Sequence, residues 1–173
     1  GGAVYGNAGA FGGDVSMNLI WADVLTKNGR ERMSVEQMGY GYRTSVFKRG
    51  EIHAIVLSAL LRLKNSVKEE VSVKIEQFSE RRKATQPPGA SMGSMFKNPE
   101  SDHAGRLIEA AGLKGTRIGN AEISTLHGNF FINHGETRAD DILALIRLAQ
   151  KTVREKFGVQ LELEVELVGE WNE

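Results

Sequence analysis

Apolar and polar side chains alternate over residues 19–25, and a short extended run follows the pair Asn28-Gly29 at residues 30–33. This pattern predicts a β-hairpin closed by a primed turn, because Asn and Gly tolerate positive φ. Ser34 and Gln37 have capping-box spacing for a short helical turn. Residues 52–63 are dense in β-branched and apolar side chains, and their length and flanks predict a largely buried strand. The period then changes: Val67, Val71, Ile75 and Phe78 recur at helical spacing with charges elsewhere, until Gln86-Pro87-Pro88-Gly89 stops the helix. Residues 87–95 are expected to form a loop, and Met92 with the following Phe96 makes it more apolar than a plain linker. Amphipathic helices are predicted over 103–113 and 140–157, the second with Thr137, Asp140 and Asp141 at its start and Gly158 at its end. Short strands are expected at 121–124 and 129–133. In 160–168, Leu161, Leu163, Val165 and Leu167 alternate with Glu162, Glu164 and Glu166, the pattern of a strand with one buried face. The opening residues 1–13 read as a loop, and nothing in the chain repeats.

Composition narrows the function classes. At 173 residues and 40% hydrophobic content the chain can bury a core of one or two domains. Lys plus Arg number 22, as do Asp plus Glu, so no global field favours nucleic acid, and any anion site must be local. The absence of cysteine removes disulfides, thiolate nucleophiles and Cys-ligated metals, leaving redox chemistry to a bound organic cofactor. The longest apolar stretch, 52–63, is broken by His53, Ser58 and Arg62 and falls short of the roughly 20 residues of a membrane helix. Membrane insertion is not expected, and the cytoplasm is the expected location.

Several clusters carry candidate chemistry. The glycine-rich start reads either as a surface loop or as a nest of backbone N–H groups open to a dinucleotide pyrophosphate; it lacks the GxGxxG fingerprint. Tyr42-Arg43-Thr44-Ser45-Val46-Phe47 sets one arginine between two aromatics, and a planar guanidinium suits a reaction at a carboxylate. Ser94, Lys97 and Asn98 bring a hydroxyl, an ammonium and a carboxamide within five residues, without the elbow of a triad nucleophile. Glu162, Glu164 and Glu166 share one face of the last predicted strand; such a row is ordinarily solvated, but a buried member could act as an acid. His53, His103, His127 and His134 lack metal-ligand spacing, so no metal site is expected.

Together these stretches resemble the UDP-N-acetylenolpyruvoylglucosamine reductases (MurB) over essentially the whole chain. Residues 1–12 are similar to the family's GxxGGAVYxNAGAxG, 42–47 to YRxSxF, 81–87 to RRKxxQP and 93–99 to GSxFKNP. Further on, 110–119 resembles AGLKGxRIG, 127–130 HxNF, and 156–165 KFGVxLxPEV. The form is similar to the shorter, type II class. Leu163 stands where the family has proline, and Glu166 where it has a basic residue.

The resemblance implies an α+β fold made of part of a two-part FAD-binding domain and a small α+β substrate-binding domain. Its expected limits are 1–65 for the second FAD subdomain, 66–87 for a connecting helix, 88–159 for the substrate domain and 160–173 for a strand returning to the FAD domain. The amino-terminal FAD subdomain has no counterpart here, so the chain is expected to be an incomplete, inactive portion of the enzyme. The implied activity is NADPH- and FAD-dependent reduction of UDP-N-acetylglucosamine enolpyruvate to UDP-N-acetylmuramate, in peptidoglycan precursor synthesis and hence cell wall biogenesis, cell shape and division. By resemblance, Arg43, Ser94 and Glu164 are catalytic; Gly1, Gly2, Asn7, Ala8, Gly9, Ala10 and Gly12 hold FAD; and Tyr42, Arg82, Lys83, Lys97, Asn98 and His127 contact substrate. A bacterial cytoplasmic enzyme, monomeric when full length, is implied. A non-catalytic UDP-sugar-binding module that has lost flavin is the alternative, and a different FAD oxidase of the same broad fold is disfavoured by GSxFKNP and the closing glutamates.

Overall fold

The computed structural model describes residues 1–171 and divides the chain into two units, Gly1–Ile75 and Glu76–Glu173. Helices and antiparallel sheets make both an α+β fold, as the family resemblance implied.

The first unit opens on a one-turn helix, α1 (Gly2–Tyr5), and a two-residue ladder, β1 (Gly9–Ala10) with β2 (Gly13–Asp14), where only a loop was expected. Phe11 (φ +52°) and Gly12 (φ +82°) join β1 to β2 with the two successive positive φ values of a primed turn. A central strand, β3 (Leu19–Thr26), pairs antiparallel with β4 (Gly29–Ser34) on one side and β5 (Ala54–Leu61) on the other. The hairpin β3–β4 forms as predicted, but its turn differs. Lys27 and Asn28 lie between the paired Thr26 and Gly29, and the positive φ falls on Gly29 (+113°), not on Asn28. Ser34 and Gln37 form the reciprocal capping bonds expected of them, in a turn that does not extend into a helix.

Leu19, Ala22, Val24, Met33, Met38 and Phe47 form the core of this unit. Asp23 is buried on β3, yet it accepts from Arg30 Nη2 at 2.6 Å and Arg32 Nε at 2.8 Å on β4, and from Ser58 Oγ at 3.3 Å on β5. The Arg32 and Arg30 hydrogen bonds hold its carboxyl well below the usual carboxylate range. β5 corrects an expectation: it is a strand, but not a buried one. Ile55 is 65% and Leu57 49% exposed, and only Ala54 and Val56, on the alternate face, reach the core.

Helix α2 (Lys68–Thr85) runs across the boundary between the units, where the expected divisions lay at 65/66 and 87/88. Its predicted apolar stripe exists in the sequence but none of its residues is buried.

In the second unit a four-stranded antiparallel sheet has the order β6 (Ala90–Ser94), β9 (Phe130–Asn133), β8 (Ala121–Ile123), β7 (Arg117–Ile118). β8 and β9 match the sequence reading; β6 replaces the expected loop. Two helices accompany it, α3 (Ala104–Ala110) and α4 (Ala139–Phe157). α4 buries Leu145, Ala149 and Val153, spaced by four residues, with Ile146, against the sheet. The Asp141 carboxylate accepts the Arg138 N–H at its start, and Gly158 at φ +71° closes it, its N–H reaching Arg154 O at 2.9 Å. Lys156 Nζ donates to Ala111 O at 2.7 Å, satisfying a carbonyl at the end of α3.

Residues 160–168 do not form the expected regular strand. Leu161 is buried in the second core, Gln150 Nε2 donates to its carbonyl at 2.9 Å, and a single bridge links Leu163 to Phe96. Leu167 and Val168 are exposed, so the alternation decays toward the end. Among the described residues no helix is long and apolar enough to cross a membrane, and no group of three His, Asp or Glu side chains could hold a metal.

Candidate functional site

In the first unit the two predicted motifs meet. Arg43, at φ +54°, donates from Nη2 to Gly9 O at 2.6 Å, and its guanidinium carbon lies 5.4 Å from the centre of the exposed Tyr42 ring. Gly9 has no room for a side chain: a Cβ there would meet Gly13 O at 2.8 Å, Asp14 Cβ at 2.9 Å and Arg43 Nη1 at 3.0 Å. Asn7 is buried at φ +49°; its amide nitrogen donates to Asp14 Oδ2 at 3.2 Å and Gly41 O at 3.0 Å, while its oxygen accepts Ser16 N–H at 3.0 Å. Asn7 and Gly9 therefore shape the loop from within. Gly1, Gly2, Ala8, Ala10 and Gly12 are exposed, and Gly2 and Gly12 face open space. Ala8 spends its N–H on Ala3 O at 2.9 Å, so the loop is only partly a nest. What remains is a surface of glycine and alanine on which a flat group or a diphosphate can approach the backbone closely, so the residues present fit a dinucleotide cofactor.

In the second unit the chemistry converges on one cleft of about 340 Å³, lined by Ser94, Asn98, His103, Arg106, His127 and their neighbours. β6 carries one extra residue against β9: Ser91 faces Ile132 and Ser94 faces Phe130, so a bulge at Met92-Gly93, with Gly93 at φ +81°, re-aims Ser94. Beyond Ser94 the backbone is clamped from both sides. Met95 N–H donates to Asn129 O at 2.8 Å, Phe96 N–H to Asn129 Oδ1 at 2.9 Å, and Asn129 Nδ2 to Phe96 O at 2.8 Å. On the other side Glu164 N–H reaches Met95 O at 2.9 Å and Lys97 N–H reaches Glu162 O at 2.8 Å. The half-buried Glu164 is thus seated beside the Ser94 strand, whereas Glu162 is exposed and pairs with Lys97 Nζ at 3.2 Å.

The Asn98 carboxamide oxygen accepts Ala104 N–H at 3.0 Å, which fixes the entry to α3. Arg106 on α3 pairs with Asp102, whose carboxyl is held down to about 2 by that arginine and by His103 N–H. His127 packs edge-on against Phe130 and accepts Asn129 N–H at Nδ1 at 3.2 Å. A neutral ring in that arrangement carries its proton on Nε2 and can donate it. Burial, together with Lys114, pushes its pKa below the ordinary histidine value. Two glycines bring the cleft walls together: a Cβ on Gly105 would meet His127 Cε1 at 2.8 Å, and one on Gly128 would meet Gly105 O at 2.7 Å.

Ser94, Asn98 and His127, three residues anticipated from sequence, therefore line one cleft. Lys97 does not line it, and Arg82 and Lys83 lie in the exposed last turn of α2. Sequence reasoning assigned no site role to His103, Arg106, Glu109 and Asn129. The first three recur every third residue along the polar side of a helix recognised as amphipathic, which was the available signal. Asn129 stands in the HxNF motif at 127–130, but nothing in the sequence pointed to its part, which lies in two bonds to a residue 33 positions away.

Comparisons with known proteins identify the family. Residues 84–168 match the family model described as the C-terminal domain of UDP-N-acetylenolpyruvoylglucosamine reductase. The UDP-N-acetylenolpyruvoylglucosamine reductase of Chloroflexus aggregans is 49% identical over 97% of this chain, which spans only 58% of that relative's length. A protein of the same name from Bacillus licheniformis is 43% identical over 98% of this chain, and here the chain covers 93% of the relative. The crystal structure of the Thermus caldophilus reductase (MurB) superposes with a TM-score of 0.83 at 41% identity, covering 96% of this chain and 59% of that one. The chain belongs to the UDP-N-acetylenolpyruvoylglucosamine reductase family.

Proposed function

We propose that this chain provides the substrate-binding and proton-donating part of an FAD- and NADPH-dependent reductase that converts UDP-N-acetylglucosamine enolpyruvate to UDP-N-acetylmuramate in the bacterial cytoplasm. The observation that carries the proposal is the convergence of Ser94, Asn98 and His127 on one cleft whose other polar walls are His103, Arg106, Glu109 and Asn129. A nucleoside diphosphate sugar is rich in acceptor oxygens, and Arg106, neutral His127 and the Asn98 carboxamide suit it.

FAD, reduced by NADPH, would be held on the exposed glycine and alanine surface of residues 1–12 and would supply the hydride that reduces the enolpyruvyl double bond at its β carbon. As the double bond is reduced, negative charge develops on the substrate carboxylate; Arg43 and Glu164 are assigned to balance it. Ser94 donates its hydroxyl proton to the α carbon and regains one from solvent, completing addition of one hydride and one proton across the double bond. Tyr42 is assigned to the substrate, and Arg82, Lys83 and Lys97 to its diphosphate.

The test uses a full-length relative such as the Bacillus subtilis reductase, with alanine at the position corresponding to Ser94. NADPH should still bleach the flavin at close to the parental rate, while reoxidation by the enolpyruvyl substrate slows severely. Equal slowing of both half-reactions removes Ser94 from the protonation step.

A further inference from the structure

The bonds of Asn129, immediately before β9, converge on the chain around Ser94. Its backbone N–H donates to Nδ1 of the cleft residue His127 at 3.2 Å, and its carbonyl accepts Met95 N–H at 2.8 Å. Its carboxamide takes both polar groups of Phe96, accepting from the N–H at 2.9 Å and donating to the carbonyl at 2.8 Å. Asn129, 3% exposed, thus ties the histidine of the cleft to the segment that follows Ser94. On the other side of Ser94 the chain is set by the bulge at Met92-Gly93, with Gly93 at φ +81°. A Cβ on Gly93 would meet no neighbour, so what opposes a side chain there is backbone strain alone. The serine is therefore fixed from before and from after.

A serine places its oxygen through a single torsion with three staggered wells, so the reach of the hydroxyl is decided by the backbone that carries it. Proton transfer to a carbon needs that oxygen within hydrogen-bond reach of its target. We propose that Asn129 is a positioning residue for the protonation step, holding the Ser94 hydroxyl where it meets the α carbon of the substrate; this rests on the reading of Ser94 as the proton donor. The carboxamide of Asn129 is spent on Phe96, so its effect passes through the backbone and not through a contact with the reacting atoms. Asparagine suits the task because one short side chain both accepts and donates, which a carboxylate or an apolar group of the same size does not.

The test uses a full-length relative such as the Bacillus subtilis reductase, with Asn129→Ser, Gly93→Ala, Ser94→Ala and the double change Ser94→Ala with Asn129→Ser at the corresponding positions. Rates are read at a temperature where circular dichroism shows each variant folded. Asn129→Ser replaces the two-ended carboxamide by a single neutral oxygen, and Gly93→Ala disturbs the same serine from the other side without touching Asn129. Each should slow flavin reoxidation at saturating enolpyruvyl substrate by about tenfold to a hundredfold, the range that a shift on the order of 1 Å produces. The half-saturating substrate concentration should move by less than about threefold, and reduction by NADPH should stay near the parental rate. The double variant should be no slower than Ser94→Ala alone, because a residue that acts through the serine has nothing left to act on. In the ¹⁵N-labelled 173-residue chain the Ser94 amide order parameter should fall in both single variants from the rigid-backbone level of about 0.85. A double variant slower than Ser94→Ala by the full Asn129→Ser factor, or parental reoxidation in both Asn129→Ser and Gly93→Ala, overturns the positioning role and leaves Ser94 as donor. Equal slowing of both half-reactions by Ser94→Ala overturns the donor reading, and this proposal with it.

Discussion

Replacing Asn129 by alanine removes two hydrogen bonds at once and leaves both of their partners buried. Phe96 is 1% exposed, and its N–H and C=O are held by the two ends of the Asn129 carboxamide at 2.9 and 2.8 Å. Each buried polar group left unsatisfied costs about 1–3 kcal/mol, so Asn129→Ala should destabilise the second unit by about 2–6 kcal/mol. In a domain of this size that corresponds to a melting point lower by at least about 8 °C, readable by circular dichroism. Asn129→Asp sharpens the test. A carboxylate still accepts from Phe96 N–H but is repelled by Phe96 O, so its folded-state pKa is raised above the ordinary value of about 3.9. Its extra stability is therefore present below that ordinary value and is lost as pH rises through the raised one. The gap in melting temperature between Asn129→Asp and the parent chain should narrow toward acid. An Asn129→Ala variant melting within about 2 °C of the parent would refute the clamp.

His127 should titrate with an NMR midpoint below the ordinary value of about 6.5. Since the fold favours its neutral form, the second unit should lose stability as pH falls from neutrality through the unfolded value, and His127→Gln should flatten that dependence; an unchanged slope removes His127 from the effect. In a full-length reductase, glutamine at the position of Glu164 should slow turnover by more than about tenfold, or over 1.4 kcal/mol of barrier, while the positions of the exposed Glu162 and Glu166 stay within the surface range; three equally silent changes would show the segment to be an ordinary solvated face. Gly128→Ala, which drives a Cβ against the Gly105 carbonyl, should destabilise by about 1–3 kcal/mol in urea unfolding. Gly105→Ala meets only the movable His127 ring, so it should shift the His127 resonances with a smaller loss, and the reverse order would contradict the packing.

Helix α4, the hairpin β3–β4 and strands β8 and β9 were legible because each announces itself locally, through 3.6-residue or two-residue spacing and end signals such as Gly158. β6 was not, since Pro87, Gly89 and Gly93 mark a loop and its strand character comes from pairing with β9 across 40 residues. β5 was recognised as a strand and misjudged as buried, because an apolar run reports what a segment could bury and not what lies over it. The primed turn was sought at Asn28-Gly29, where a Gly follows an Asn, and occurs at Phe11-Gly12, where the tight β1–β2 ladder forces a phenylalanine to positive φ. Within the site, Ser94, Asn98 and His127 came from ordered motifs, whereas the bulge that turns Ser94 and the Asn129 clamp that holds it are properties of register, visible only once β6 and β9 are side by side.

The most direct test of the central reading is a titration of the ¹⁵N-labelled 173-residue chain with UDP-N-acetylglucosamine. The account predicts saturable shifts concentrated at Ser94, Asn98, His103, Arg106 and His127, and weaker binding in His127→Ala. Absence of saturable shifts up to about 10 mM ligand, or shifts confined to residues outside that cleft, would contradict the assignment of the Ser94 cleft to the nucleotide sugar.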